Sequence, residues 1–215
     1  MSNTKSEIIR HAVLLFNKKG FFNVSIKDIA DAMKISPGNL TYHFKKKEHL
    51  LSAIQDEILS SSVDIMPKGR YITLDHFEEM FSRFYNVQQR YSFFFLDISY
   101  LIVEYPSILD VYKVATKKRF SEARKLVDHF IATDRLLAEN DRIDYDVVIH
   151  NLWMVSTFWT TSTMLIDKKK SALLNNSPID ALWGILSPYL TTKGFDEYQE
   201  IIHFSKENTN TNSKK

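Results

Sequence analysis

The sequence predicts an all-α protein, with an N-terminal three-helix helix-turn-helix domain and a larger C-terminal helical domain. Apolar residues recur at helical spacing in block after block, and strand-type alternation is hard to find. Glycine and proline, five each in 215 residues, are too sparse for a turn-rich β protein. A hydrophobic share of 44% and a charged share of 25% exclude disorder as the main state.

The first helix is expected over about 4–19, where Ile8, Ala12, Leu15 and Phe16 form one stripe, widened by Ile9 and Val13. Lys18 and Lys19 suit the negative end of its dipole, and Gly20 supplies the left-handed stop. The second opens at Ser25, with Asp28 placed to answer it in a capping box, and buries Ile26, Ile29, Ala30 and Met33. After a break at Lys34-Ile35, Ser36-Pro37 reads as a cap followed by a first-turn proline, starting a short third helix to Phe44. The fourth runs from Lys47 to about Ile65, with Leu50, Leu51, Ile54 and Ile58 inward.

Pro67-Lys68-Gly69-Arg70 is the candidate domain junction. Helices are expected beyond it at about 73–91, 92–104, 107–133, 144–169, 178–192 and 195–204, with a Ser177-Pro178 start and a kink at Pro188. The domain reading is therefore 1–46 for the helix-turn-helix, 47–66 for a connecting helix, 71–204 for the regulatory and dimerisation domain, and 205–215 for a disordered polar tail. The uncharged stretch Val147–Ile166 holds too many polar residues for a membrane span. No apolar signal segment opens the chain, and cysteine is absent, which together suit the cytoplasm.

Charge is unevenly placed. Residues 1–50 carry nine Lys/Arg against four Asp/Glu, whereas the remaining 165 carry 19 against 22. A short basic module on a mildly acidic body suggests that the N-terminal part alone faces a polyanion, although a solvated basic face would look the same by charge.

Two helices as short as the second and third need the stripes on the first and fourth to close a core. With Leu40 and Phe44 inside, the third helix must turn Ser36, Gly38, Asn39, Thr41, Tyr42 and His43 outward, and none of these is acidic. Small and hydrogen-bonding groups suit the major groove of double-stranded DNA. Gly38 removes bulk near the duplex, and Asn39 could bridge an adenine edge. Lys45, Lys46 and Lys47 follow at the start of the fourth helix, where phosphate is attracted. Ser25 and Lys27 offer a second phosphate grip, and Pro37 completes the candidate DNA-contacting set. Each residue alone also fits an ordinary helical corner with solvated lysines.

The segment ISPGNLTYHFKKKEHLL resembles the recognition segment of the tetracycline-repressor (TetR) family, in Tyr42-His43-Phe44 and in Lys47-Glu48-His49-Leu50-Leu51. Ala12, Phe16, Gly20, Phe21 and Ile29-Ala30 match upstream, so the resemblance is specific over about 5–55 and architectural beyond. One departure is that Leu40-Thr41-Tyr42-His43 places the tyrosine one position later than in many members, so a Tyr–phosphate contact could pass to Thr41 or be lost. The resemblance implies a homodimer on a palindromic operator, a ligand pocket in the C-terminal body, and release of DNA on ligand binding.

The body is crowded with aromatics, most of them suited to core packing. If a pocket exists, the composition points to an apolar or aromatic small-molecule effector, with Phe94, Asp97, Tyr100, Tyr112, His150, Asn151, Trp153 and Phe158 as candidate lining residues. Dimer contacts are expected from Ser156, Trp159, Thr160 and Thr163 on one helix and Leu182, Ile185, Leu186 and Tyr189 on the next. No cofactor or metal is expected. A di-iron carboxylate site would need two Glu-x-x-His pairs, and the chain offers one, at Glu200–His203. Serine-elbow, phosphate-loop and His-Glu-x-x-His motifs are lacking. The expected function is a sequence-specific transcriptional regulator, most readily a ligand-responsive repressor. An activator of the same fold, a helical adaptor and an enzyme are the alternatives.

Overall fold

Helix α1 (Ser2–Lys19) forms on the expected stripe: Ile8, Ala12 and Phe16 are fully buried. It stops where Gly20 enters the left-handed region at φ 80, its N–H bonded to the Phe16 carbonyl at 2.8 Å. Helix α2 (Ile26–Met33) begins with the predicted capping box. The Ser25 hydroxyl accepts from the Asp28 N–H at 3.1 Å, and the Asp28 carboxylate accepts from the Ser25 N–H at 2.7 Å. Helix α3 (Pro37–His43) is capped by Ser36, which accepts from the Asn39 N–H at 3.2 Å. Helix α4 is Lys47–Val63.

A computed structural model describes residues 2–63, 71–165 and 178–212 of this chain, with side chains over 4–61, 71–164 and 178–204. The expected junction at Pro67–Arg70, the Ser177 cap, and the end of the expected 144–169 helix beyond Leu165 lie outside the described residues. The later helices are α5 (Leu74–Arg90), α6 (Ser92–Leu96), α7 (Ile98–Glu104), α8 (Pro106–Ala132), α9 (Tyr145–Leu165), α10 (Pro178–Leu186) and α11 (Thr192–Asn212). Among the described residues, no helix is long and apolar enough to cross a membrane.

The chain divides into two units, Met1–Asp64 with Phe84–Thr116, and Ile65–Arg83 with Lys117–Lys215. The division differs from the boundary expected near residue 70, because 84–116 pack with the N-terminal helices. The reason is aromatic: Phe93 sits 5.0 Å from Phe16 and stacks on Phe21, giving the small helix-turn-helix hub the apolar cover it lacks. Asn17 clasps the same corner, donating to the Arg90 carbonyl at 2.9 Å and accepting from the Phe93 N–H at 3.0 Å. The second unit has its own core, built on Phe77, Phe130, Tyr145, Leu152, Leu182, Trp183 and Leu186.

Three elements depart from expectation. The predicted helix over 92–104 breaks at Asp97, whose carboxylate takes the Phe21 N–H at 3.5 Å. At Pro188 the chain does not kink but ends its helix. Proline removes an N–H from the helical ladder, and a 3₁₀ turn over Ser187–Tyr189 leads to an extended Leu190. Backbone bonds then tie this stretch to the end of α8, from Leu137 N–H to the Tyr189 carbonyl (2.9 Å) and from Thr191 N–H to the Arg135 carbonyl (3.1 Å). Finally, α11 continues to Asn212, past Ser205 where a disordered tail was expected. Extending an already nucleated helix costs little per polar residue.

Candidate nucleic-acid interface

The α2–α3 corner turns on Lys34, a non-glycine residue at φ 56 that ends α2, its N–H reaching back to Ala30 and Asp31. Ile35 then packs on the core, and Ser36 restarts the chain as α3. Leu40, fully buried, and Phe44, 6% exposed, pin α3 to the hub by one face. Its other face is therefore presented outward. Ser36, Pro37, Gly38, Asn39 and Tyr42 are exposed, while Thr41 and His43 are half-buried. Tyr42 is 83% exposed and lies edge-on to His43 with centroids 5.2 Å apart. The Thr41 hydroxyl donates to the Gly38 carbonyl at 3.1 Å. Ser25, Lys27, Lys45 and Lys46 are exposed around this face.

Lys47 departs from the expected phosphate contact. Its ammonium bonds the Phe21 carbonyl and sits 3.9 Å from the Phe21 ring centroid and 5.5 Å from that of Phe16. Burial pulls its pKa below the usual lysine value. This lysine closes the hub instead of reaching outward. Lys34, outside the expected contact set, is exposed on the corner itself. Its signal was a basic residue in the turn of a helix-turn-helix.

The candidate ligand residues divide between the two units: Phe94, Asp97, Tyr100 and Tyr112 in the first, His150, Asn151, Trp153 and Phe158 in the second. Phe94 is 1% exposed within the hub core, and Asp97 is bonded to Phe21, so neither is a pocket wall. Tyr100 is 74% exposed beside Phe22, and Tyr112 packs on the hub core. In the second unit, Phe120, His150, Trp153 and Phe158 form a chain of ring contacts between 5.6 and 6.1 Å. The Trp153 indole nitrogen and the Thr160 hydroxyl are sealed from solvent and, among the described residues, have no hydrogen-bond partner. A separate groove of about 760 Å³ between α5 and α11 is lined by Asp75, Glu78, Glu79, Glu197 and Glu200, and by none of the candidate residues.

Several expected dimer residues are used up inside the protomer. Ser156, Leu182 and Leu186 are buried at 6%, 1% and 2% exposure, and α10 packs on α9. Trp159, Thr160, Thr163, Ile185 and Tyr189 are half-buried. The outward apolar surface of α9 is instead Val147, Met154, Phe158 and Met164, with Gly184 exposed on α10.

Comparison with known proteins matches this architecture. Residues 8–54 fit the family described as bacterial regulatory proteins, tetR family, and residues 56–198 fit the companion description, bacterial transcriptional repressor. YttP of Bacillus subtilis, a probable HTH-type transcriptional regulator, is 43% identical over 54 residues, 23% of this chain and 26% of its own. IcaR of Staphylococcus epidermidis, a negative regulator of the biofilm operon icaADBC, is 24% identical over 98 residues, 44% of this chain and 53% of its own. The chain thus spans about a quarter to a half of the length of these curated relatives. A TetR-family regulator structure from Marinobacter aquaeolei superposes with a TM-score of 0.82 at 23% identity, over 95% of this chain and 98% of that one, which shows a shared fold. With both family descriptions matched and the helix-turn-helix in place, the chain belongs to the TetR family of DNA-binding transcriptional regulators.

Proposed function

We propose that this regulator is a ligand-responsive repressor that holds a palindromic operator as a homodimer. The observation that supports DNA reading by α3 is its acid-free outer face, Ser36 to His43, held out from the hub by the buried Leu40 and Phe44. Exposed Lys27, Lys34, Lys45 and Lys46 around it supply the sequence-independent attraction to phosphate. The repressor sign is favoured by the family description and by IcaR's role as a negative regulator. The test is retention of selected duplex by Lys45→Glu/Lys46→Glu. Loss of retention with an unchanged melting curve is expected. Unchanged retention refutes the groove assignment.

A two-fold interface would use the outward apolar face of α9, with Gly184 of α10 beside it, which a lone protomer leaves in water. Phe158→Glu should convert the protein to monomer in sedimentation, and a persistent dimer removes this surface from the proposal. Half-sites one helical turn apart would lie about 34–36 Å centre to centre.

Effector binding is supported by the aromatic cluster around Trp153, where the indole N–H and the Thr160 hydroxyl, without a partner among the described residues, could anchor an aromatic or apolar molecule. A fold neighbour from Saccharomonospora viridis, 16% identical with a TM-score of 0.69, was solved with choline. Release would work by population shift through α4. That helix is tied to its own unit by Gln55, which donates to the Ile108 carbonyl at 2.9 Å, and by Glu57, which accepts from the Tyr91 hydroxyl at 3.1 Å. Equal operator affinity with and without an effector found by thermal-shift screening would refute the mechanism.

A further inference from the structure

In the major groove the four bases call for different side chains. Arginine or lysine reads guanine, an acid reads cytosine, an amide reads adenine, and an apolar surface meets the thymine methyl. The outer face of α3 holds only the last two of these chemistries. Asn39 is its one carboxamide, and Pro37 and Tyr42 are its exposed apolar and aromatic surfaces.

The guanine readers are placed elsewhere. Arg10, the one arginine in the first fifty residues, is bonded to Glu7 through two nitrogens, at 3.2 and 2.7 Å. Lys34 ends α2, and Lys47 is turned onto the Phe21 ring. Lys45 and Lys46 come after Phe44, whose extended backbone at φ −135 and ψ 96 has already left the α3 axis. Two of the hydroxyls are engaged locally: Ser36 accepts from the Asn39 N–H, and Thr41 donates to the Gly38 carbonyl. His43 is half-buried against Tyr42.

Resting on the DNA-binding role of α3 proposed above, we infer that the operator half-site is A·T-rich under α3, with Asn39 as its specificity-determining residue. The Asn39 amide NH₂ donates to N7 of one adenine, and its oxygen accepts from the N6 amino group of the same base. Tyr42 and Pro37 lie against thymine methyls of neighbouring pairs. G·C pairs under α3 are disfavoured because they offer neither the adenine edge that Asn39 pairs nor the thymine methyl that Tyr42 and Pro37 meet.

Selection of bound duplex from a random pool, with wild type, Asn39→Ala and Lys45→Glu/Lys46→Glu, tests this. Wild type should enrich half-sites with A·T pairs at the centre of the contacted step. Asn39→Ala should lose the preference for one adenine in each half-site, by about 5- to 150-fold, with other positions unchanged. Replacing that adenine by 7-deazaadenine should weaken wild type and leave Asn39→Ala unaffected. The lysine variant should lose retention of all sequences alike. Half-sites fixed by G·C pairs, or an Asn39→Ala profile identical to wild type, would overturn the inference while leaving DNA binding intact. No retention of any duplex by wild type would remove the DNA-binding role of α3 and the inference together. Because Asn39 is exposed, a melting curve matching wild type is the control for folding.

Discussion

Gly194, the third residue of α11, is buried against the backbone at the end of α8. A Cβ placed there would lie 2.1 Å from the Arg135 carbonyl oxygen, 3.0 Å from its carbon and 3.2 Å from its Cα. An ordinary carbon–oxygen contact is longer by roughly 1 Å, and backbone cannot rotate aside as a side chain can. That carbonyl already accepts the Thr191 N–H at 3.1 Å, while the Arg135 side chain holds Glu197 at 2.7 Å. Gly194→Ala must therefore part α11 from this seam. Overpacking of this kind costs about 1–3 kcal/mol, and one or two lost backbone bonds add about 1 kcal/mol each. The higher helix propensity of alanine returns about 0.5–1 kcal/mol. The net expectation is a loss of about 1–4.5 kcal/mol, which in a chain of this size lowers the melting temperature by roughly 2–18 °C. Thermal unfolding followed by far-ultraviolet circular dichroism measures it. A variant as stable as wild type would refute the close-approach reasoning.

Alanine at Gly38 is the opposite case, since its Cβ meets nothing nearer than the Ser36 hydroxyl at 3.9 Å. Gly38→Ala should fold at least as stably as wild type yet bind operator DNA more weakly, because the added methyl stands on the face proposed to meet the duplex. Equal operator affinity in a binding titration would contradict that approach. Lys34 holds φ 56 without being glycine, so Lys34→Gly should raise stability by about 0.5–1 kcal/mol in urea unfolding. Hydrogen bonds from Arg124 draw the Glu139 carboxyl down to about 2 from an ordinary 4.5. A carboxylate with a depressed folded-state pKa stabilises above its unfolded value and loses that contribution as pH falls from about 4.5 towards 2. Glu139→Gln should remove this component from the acid limb of a stability-versus-pH curve, and an unchanged limb would show that the pair contributes nothing.

The helix-turn-helix was legible because its signals are local. A capping hydroxyl and its answering carboxylate lie three residues apart, Ser36-Pro37 starts a helix within two residues, and a stripe such as Ile8, Ala12 and Phe16 has one face to bury. Binary pattern also located the all-α class and most of the later helices.

Other features depended on residues distant in sequence. Lys47 reads as one more lysine in a basic run, and only the approach of Phe21, twenty-six positions earlier, turns its ammonium inward. Phe94 and Asp97 carry the composition of a pocket, yet they complete the N-terminal hub because that hub is too small to cover itself. On α9, apolar residues occur all round the helix, so spacing could not tell which face α10 would take. Ser156 went inside while Met154 and Phe158 stayed out. Capping and periodicity are written in neighbouring residues, whereas the choice between burial and exposure for a given aromatic or lysine is made by whichever distant surface packs against it.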